Sequence, residues 1–378
     1  MGLKPKFSYI NSQLEKIRKN DLYRQLRSGK VNGAFITINR KKLLNLCSND
    51  YLGIPSIKLV TNQMQSSSRL VSGNDLAFNI LEKKLAKHKS QQNALIFPTG
   101  YMANLGTITA IIRKGDQILS DELNHASIIE ACKLSNAKIS IYKHNDINNL
   151  KLKFDKKYKR KFIITEGIFS MDGDFANLKE ITEFAEQKNI ITVLDDAHGD
   201  FTVGQDGKGS ANYFNVSKKI DLYISSLSKG LGSFGGYVAS QKNVVDLCIN
   251  KSKSFIYTSA LPSVFVEYSI KRFDSNREKF RKKLGKNVHF ISSGLKKIGY
   301  KIDSKTHIIP IIIGREKTTL NFGKYLFDKG IYAQPIRFPT VPKNKARIRL
   351  SVTSWLTKKQ IEDVLDVFES AGKKFKIL

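Results

Sequence analysis

Short apolar, β-branched runs recur along the middle of the chain, at residues 94–97, 117–120, 138–142, 162–166, 191–195, 222–226 and 236–240. Between them, residues 102–112, 127–134 and 178–188 carry apolar positions at helical spacing. Strands alternating with crossover helices predict an α/β fold on a mostly parallel, doubly wound sheet of seven strands. From residue 271 the pattern changes. A long charged helical stretch over 271–298 precedes strand-like runs at 308–313 and 346–352 and a last helix from Lys358, which predicts a smaller α+β domain. The expected organisation is an N-terminal helix and arm over 1–44, a large α/β domain over 45–270 and a small C-terminal α+β domain over 271–378. No internal repeat or low-complexity linker is visible.

Composition narrows the class. The 378 residues include 64 Lys and Arg against 33 Asp and Glu, a formal charge of +31. A basic surface attracts polyanions. The lysines are spread along the chain, as at Lys156-Lys157 and Lys373-Lys374, and no nucleic-acid motif such as an aromatic RNP box is present, so nucleic acid is not the expected partner. Diffuse surface lysine from a biased composition is the first reading of this charge, and an acidic substrate carrier is the second. Cys47, Cys132 and Cys248 lie far apart with no Cys-x-x-Cys spacing, which predicts neither a disulfide framework nor a metal site and fits a reducing cytoplasm. No signal peptide and no membrane span are expected.

Chemistry concentrates at the ends of the predicted strands. Lys229 lies in Ser226-Leu227-Ser228-Lys229-Gly230-Leu231-Gly232, beyond an apolar run and inside a glycine-rich turn, where a lysine is poorly placed for packing. Such an amine is either a solvated side chain or the Schiff-base anchor of a carbonyl cofactor, of which pyridoxal phosphate is the common case. Gly230, Gly232 and Gly235 also match G-x-G-x-x-G, but residues 236–240 read as a strand where a dinucleotide fold would open a helix, which argues against a nicotinamide site. Asp195 and His198 follow the 191–195 run. A carboxylate there keeps a pyridine nitrogen protonated; the histidine either bonds a phenolic oxygen or caps the loop.

The segment Phe97-Pro98-Thr99-Gly100-Tyr101 joins a predicted strand to a predicted helix, so the N–H groups of Gly100 and Tyr101 would face a phosphate, with the Ser226 hydroxyl nearby; a plain turn is the alternative. His125 precedes a helix for which Ser127 is the expected N-cap; it either stacks on a flat ring or is a surface turn residue. Polar residues in Thr165 to Asp174 are expected to face the same crevice.

Taken together, Ser48 to Gly53, Thr165 to Asp174, Asp195 to Gly199, Lys229-Gly230, Pro339 to Pro342 and Ala346 to Leu350 resemble the α-oxoamine synthases, a group within the fold-type-I pyridoxal-phosphate-dependent transferases. The resemblance runs over nearly the whole chain. It implies Lys229 as the cofactor-bearing lysine, Asp195 as partner of the ring nitrogen, His198 as partner of the phenolic oxygen and His125 stacked on the ring. It implies Gly100, Tyr101 and Ser226 around the phosphate, Ser170 as a cofactor-side hydroxyl, and Ser259 as a phosphate contact given by the other subunit of a homodimer. Arg349 matches the arginine that takes an amino-acid carboxylate, and Arg24 and Thr340 match positions touching the acyl thioester. The implied reaction joins L-alanine to pimeloyl-CoA or pimeloyl-acyl carrier protein with loss of carbon dioxide.

Three positions depart from the family pattern. A stretch usually rich in glycine reads Gln65 to Gly73, and histidines usually present are replaced at Phe78 and near Leu356. All three are expected to shape the acyl channel. The nearest rival is a glycine-using member of the same group.

Overall fold

A computed structural model describes residues 6–59 and 66–378 and divides into two compact units. The larger is Asn49–Gly285; the smaller joins the described residues up to Ser48 to Lys286–Leu378.

The larger unit is built on a seven-stranded sheet in the order Asn93–Phe97, Gly236–Ser240, Leu222–Ser226, Ile191–Asp195, Lys161–Glu166, Gln117–Asp121, Lys138–Tyr142. All seven expected strands are present. Gly236–Ser240 runs antiparallel to both neighbours and the remaining pairs are parallel. The central strands are buried throughout, as β-branched residues covered on both faces require; in the edge strand Lys138–Tyr142 only Tyr142 is buried. Leu95, Phe97, Phe162, Ile164, Val193 and Ile224 form the core with Ala103 and Ile108 of the helix Gly100–Ile111. Parallel strands bring their carboxyl ends to one edge, where ligands of such sheets bind.

The crossover helices are Gly100–Ile111, Ala126–Leu134 and Leu178–Lys188, within two residues of expectation. The second begins one residue earlier than expected because His125, not Ser127, is its N-cap, its ring nitrogen accepting from the Ser127 N–H at 3.3 Å. The stretch 271–298 is two helices, Ser263–Asp274 and Arg277–Ile298. Ser275 is extended between them and its hydroxyl takes the Arg272 carbonyl at 2.7 Å, local bonding that competes with helix continuation. Helix Leu76–Lys89, capped by Asp75, had no counterpart in the expected elements.

In the smaller unit, Ile308–Gly314, Ala346–Ser351 and Gln334–Ile336 form an antiparallel sheet. The N-terminal segment is more than a helix and arm. After the helix Ser8–Lys19 come three antiparallel strands, Gly29–Asn32, Phe35–Ile38 and Lys41–Asn45, the last pairing in parallel with Ile331–Tyr332. That pairing explains why this segment groups with residues after 285 rather than standing apart. The last helix, Lys358–Phe375, starts in a capping box of Thr357 and Gln360. No helix among the described residues is long and apolar enough to cross a membrane, and the three cysteines are unpaired.

Candidate active site

Neighbouring strands deliver Glu166, Asp195 and Ser226 to one edge of the larger unit's sheet, with Glu166 directly opposite Asp195. Asp195 is 7% exposed. Its Oδ1 accepts from the Ala197 N–H at 3.0 Å and its Oδ2 from Asn104 Nδ2 at 2.6 Å. The turn beyond places buried His198 with Nε2 3.0 Å from Lys229 Nζ and Nδ1 2.7 Å from the Tyr51 hydroxyl. An Nε2 that accepts from Lys229 leaves the ring hydrogen on Nδ1, which then donates to the Tyr51 oxygen.

The glycine turn is required sterically. A Cβ on Gly230 would lie 2.4 Å from the Asp200 carbonyl oxygen, and Gly232 sits at φ +65°. The next element is the Gly236–Ser240 strand, so this glycine pattern shapes the lysine turn rather than opening a helix. Gly236 allows the Gly100 backbone to approach: its Cβ would fall 2.5 Å from Gly100 Cα. Gly100 opens its helix behind the Thr99 cap, and a Cβ there would lie 3.4 Å from Ser226 Oγ. This is a cradle of first-turn N–H groups and a hydroxyl, a donor set that fits a phosphate. Tyr101 follows with an exposed ring whose hydroxyl bonds the Glu130 carboxylate.

His125 Nδ1 lies 2.7 Å from Ser127 Oγ, which accepts from Asn104 Nδ2 at 3.0 Å, so a bonded chain links His125 to Asp195. Desolvation lowers the His125 pKa; Asp195 opposes this and Lys229 adds to it. Ser170 is half-buried in the turn after the Lys161–Glu166 strand. Ser259 is exposed on the loop following Lys253–Ile256.

Two residues here were given no individual role by the sequence. Glu166 is 3% exposed; burial and the Asp195 charge raise its pKa well above the usual range, against Lys229 and the backbone N–H groups of His125 and Ser170. Asn104 is buried in the Gly100–Ile111 helix. A polar residue on the inward face of an otherwise apolar helix was the available signal.

Behind the Asp195 turn, Lys89 Nζ reaches Asp200 at 2.8 Å and Asp196 at 3.2 Å, and Asp200 also bonds His88, Ser225 and Tyr237. These groups pin both ends of the Asp195–Asp200 turn.

The smaller unit holds Arg24, Thr340 and Arg349. Arg24 Nη2 donates to Thr340 Oγ1 at 3.2 Å on the wall of a cavity of about 1180 Å³ also lined by Arg27, Lys324 and Arg337. Burial, then the Arg24 charge, lowers the Arg337 pKa. Arg349 is buried in the Ala346–Ser351 strand and its Nη1 donates to Ser351 Oγ at 2.7 Å.

Of the three departures, Phe78 is 1% exposed beneath the Arg69 guanidinium, 4.1 Å over its ring, and Leu356 is fully buried. Both side chains fill cores, not channel walls. Gln65 lies outside the described residues; from Ser66 on, the segment carries Arg69, paired with Glu82, to Gly73. Among the described residues no group of three or more His, Cys, Asp or Glu is placed to hold a metal ion.

A lysine turn, an inward carboxylate and a phosphate cradle on one sheet edge define the class of enzymes that carry pyridoxal phosphate on a lysine. The aminotransferase class I and II model matches residues 41–368. The 8-amino-7-oxononanoate synthase of Thermoanaerobacter pseudethanolicus is 41% identical over 98% of each chain, and that of Thermosipho melanesiensis 37% over 98% of this chain and 99% of the relative. A serine palmitoyltransferase from S. paucimobilis with bound PLP–myriocin aldimine superposes at TM-score 0.89, 25% identical over the whole of both chains. The Francisella tularensis 8-amino-7-oxononanoate synthase superposes at 0.75 with 25% identity, over 89% of this chain and 99% of that one. The chain belongs to the aminotransferase class I and II family and, within it, to the 8-amino-7-oxononanoate synthases.

Proposed function

We propose that the chain condenses L-alanine with a pimeloyl thioester to give 8-amino-7-oxononanoate, carbon dioxide and the free thiol, a step of biotin biosynthesis. End-to-end kinship with synthases of that name carries the reading, and the Lys229–His198–Asp195 geometry supplies the chemistry it needs. Its cofactor is pyridoxal 5'-phosphate, which when bound supplies an electron sink for carbon bonded to an amino nitrogen.

Gly100, Tyr101 and Ser226 hold the phosphate, and Ser170 adds a cofactor-side hydroxyl. Asp195, oriented by Asn104 and Ala197, keeps the ring nitrogen protonated. His198, fixed by Tyr51, meets the phenolic oxygen, and His125 covers the ring face. Lys229 anchors the cofactor and, once freed, takes the Cα proton of alanine at Nζ. Arg349 grips the alanine carboxylate through its fork. Arg24 and Thr340 receive the acyl substrate. The enzyme works as a cytoplasmic homodimer in which Ser259 reaches the phosphate held by the other copy.

The test is borohydride reduction of the holoenzyme with peptide mapping, paired with turnover of alanine and glycine on pimeloyl and shorter acyl thioesters. Label on Lys229 and preference for alanine with pimeloyl are expected. Label elsewhere overturns the lysine assignment, and a preference for glycine with a short acyl donor overturns the substrate assignment.

A further inference from the structure

His144 belongs to no site assigned above. It follows the Lys138–Tyr142 edge strand, and both its ring nitrogens are bonded to carboxylates: Nδ1 to Asp121 at 3.0 Å and Nε2 to Asp174 at 2.8 Å. Each carboxylate terminates a functional turn. Asp121 ends a sheet strand and its Oδ1 also accepts the Leu123 N–H at 2.9 Å, shaping the turn that leads to His125. Asp174 closes the loop that contains Ser170, since its carbonyl accepts the Phe169 N–H at 3.0 Å and Phe169 in turn accepts from Gly173 at 2.9 Å. Asn145 repeats the bridge, its backbone N–H on Asp121 Oδ2 at 3.2 Å and its Nδ2 on Asp174 Oδ2 at 3.0 Å. The ring of Phe169, buried at the base of the loop, meets the imidazole edge-on with centroids 4.4 Å apart.

We propose that His144 is a positioning residue: a cationic clamp that locks the Ser170 loop to the turn carrying His125, so that the two cofactor-side groups hold a fixed separation. Two carboxylates on the two nitrogens demand two N–H donors, which only the imidazolium offers. The charged groups facing it are Asp121 and Asp174 on the ring and Glu122, which accepts its backbone N–H at 2.9 Å. Burial alone depresses its pKa, but the bonds and charges of Asp121 and Asp174 outweigh it and push it up to about 10. A raised folded value means the clamp is complete at neutral pH and is lost only as pH rises through about 10. The catalytic consequence rests on the roles proposed for His125 and Ser170; the clamp itself does not.

Two variants separate these. His144→Gln removes the charge and one donor, and Asp174→Asn, at a partly exposed loop tip, leaves His144 with a single carboxylate. Hydrogen exchange of the 167–176 amides in the holoenzyme reads the clamp directly, and we expect both variants to exchange at least about tenfold faster there with the global unfolding midpoint nearly unchanged. Activity on alanine should fall about 10- to 100-fold in kcat, as misplacement of groups around the reacting atoms predicts. In Asp174→Asn a loss of activity should set in at lower pH than in the wild type, because removing the Asp174 charge lowers the His144 pKa from its value of about 10. Unchanged exchange in both variants overturns the clamp whatever the substrate; faster exchange without loss of kcat overturns its part in positioning. A label absent from Lys229 in the wild type would instead be the failure of the proposed function.

Discussion

Asn104 Nδ2 donates to Asp195 Oδ2 across 2.6 Å and to the Ser127 hydroxyl at 3.0 Å, so one amide sets the position of the carboxylate and of the His125 cap together. With Ala197 on Oδ1, Asp195 has both oxygens bonded, and each keeps a further lone pair for the ring-nitrogen contact proposed above. Asn104→Ala removes a bond to a charged group worth about 1.5–3 kcal/mol. We expect pyridoxal phosphate to bind roughly 10- to 100-fold more weakly in spectrophotometric titration. An unchanged dissociation constant would show that Asp195 needs no support from the helix.

Lys89 is expected to matter for stability more than for turnover. It is buried between Asp196 and Asp200, and Lys89→Met leaves two buried carboxylates without their cation, a loss of about 3–5 kcal/mol in urea unfolding. Burial pushes Asp200 up, but Lys89 and His88 outweigh it and hold it below the carboxylate range. A depressed folded value stabilises above the unfolded pKa of about 4 and loses that contribution as pH falls below it. Asp196 works the other way: raised to about 6 by burial, and further by Asp200, it favours folding below that value and loses the effect above it. The deficit of the variant should therefore be large at pH 7, where both carboxylates are ionised, and shrink as pH falls and protonation relieves their unpaired charge. A deficit independent of pH would mean packing, not charge, is what Lys89 supplies.

Arg349 should act on one substrate. Arg349→Gln removes the charged fork while leaving a side chain able to bond Ser351, and we expect KM for alanine to rise roughly 30-fold or more, as for a buried charge pair losing one partner. Arg349→Lys keeps the charge and loses bidentate geometry, so it should recover only part of the affinity. Steady-state kinetics at saturating thioester would decide; an unaltered KM for alanine sinks the assignment.

The parts of this molecule visible in the sequence are those with local causes. The strands 191–195 and 222–226 were readable to the residue because buried parallel strands are continuous apolar runs, and Lys229 and Asp195 stood out as charge at their ends. Less visible were features fixed by distant partners. Lys41–Asn45 looks like part of a basic arm until Ile331–Tyr332 pairs beside it. Nothing local singles out His144 in Lys143-His144-Asn145-Asp146; the fold brings Asp121 and Asp174 to its two nitrogens. Phe78 reads as a departure near a substrate channel, whereas Arg69 stacked on its ring makes it a packing residue. Periodicity reports which face is buried, and pairing across long stretches of chain leaves no such trace.

The formal charge of +31 predicts how the acyl substrate arrives. Arg24, Arg27, Lys324 and Arg337, with Asp328 as the one acidic neighbour, line a cavity in the smaller unit where the acyl thioester is proposed to bind. An acidic acyl carrier protein would be steered there over distances comparable to the Debye length, about 8–10 Å at moderate salt. Its association rate, followed by stopped flow with pimeloyl-acyl carrier protein, should drop about tenfold or more as ionic strength rises from roughly 50 to 300 mM. Pyridoxal phosphate, proposed to sit at the sheet edge of the larger unit, should show a much smaller change in affinity over the same range. Substituting Arg27 and Lys324 with Gln should flatten the salt dependence while leaving the Lys229 label intact. An on-rate indifferent to salt in the wild type would remove the carrier protein from consideration and leave the charge as a diffuse property of the surface.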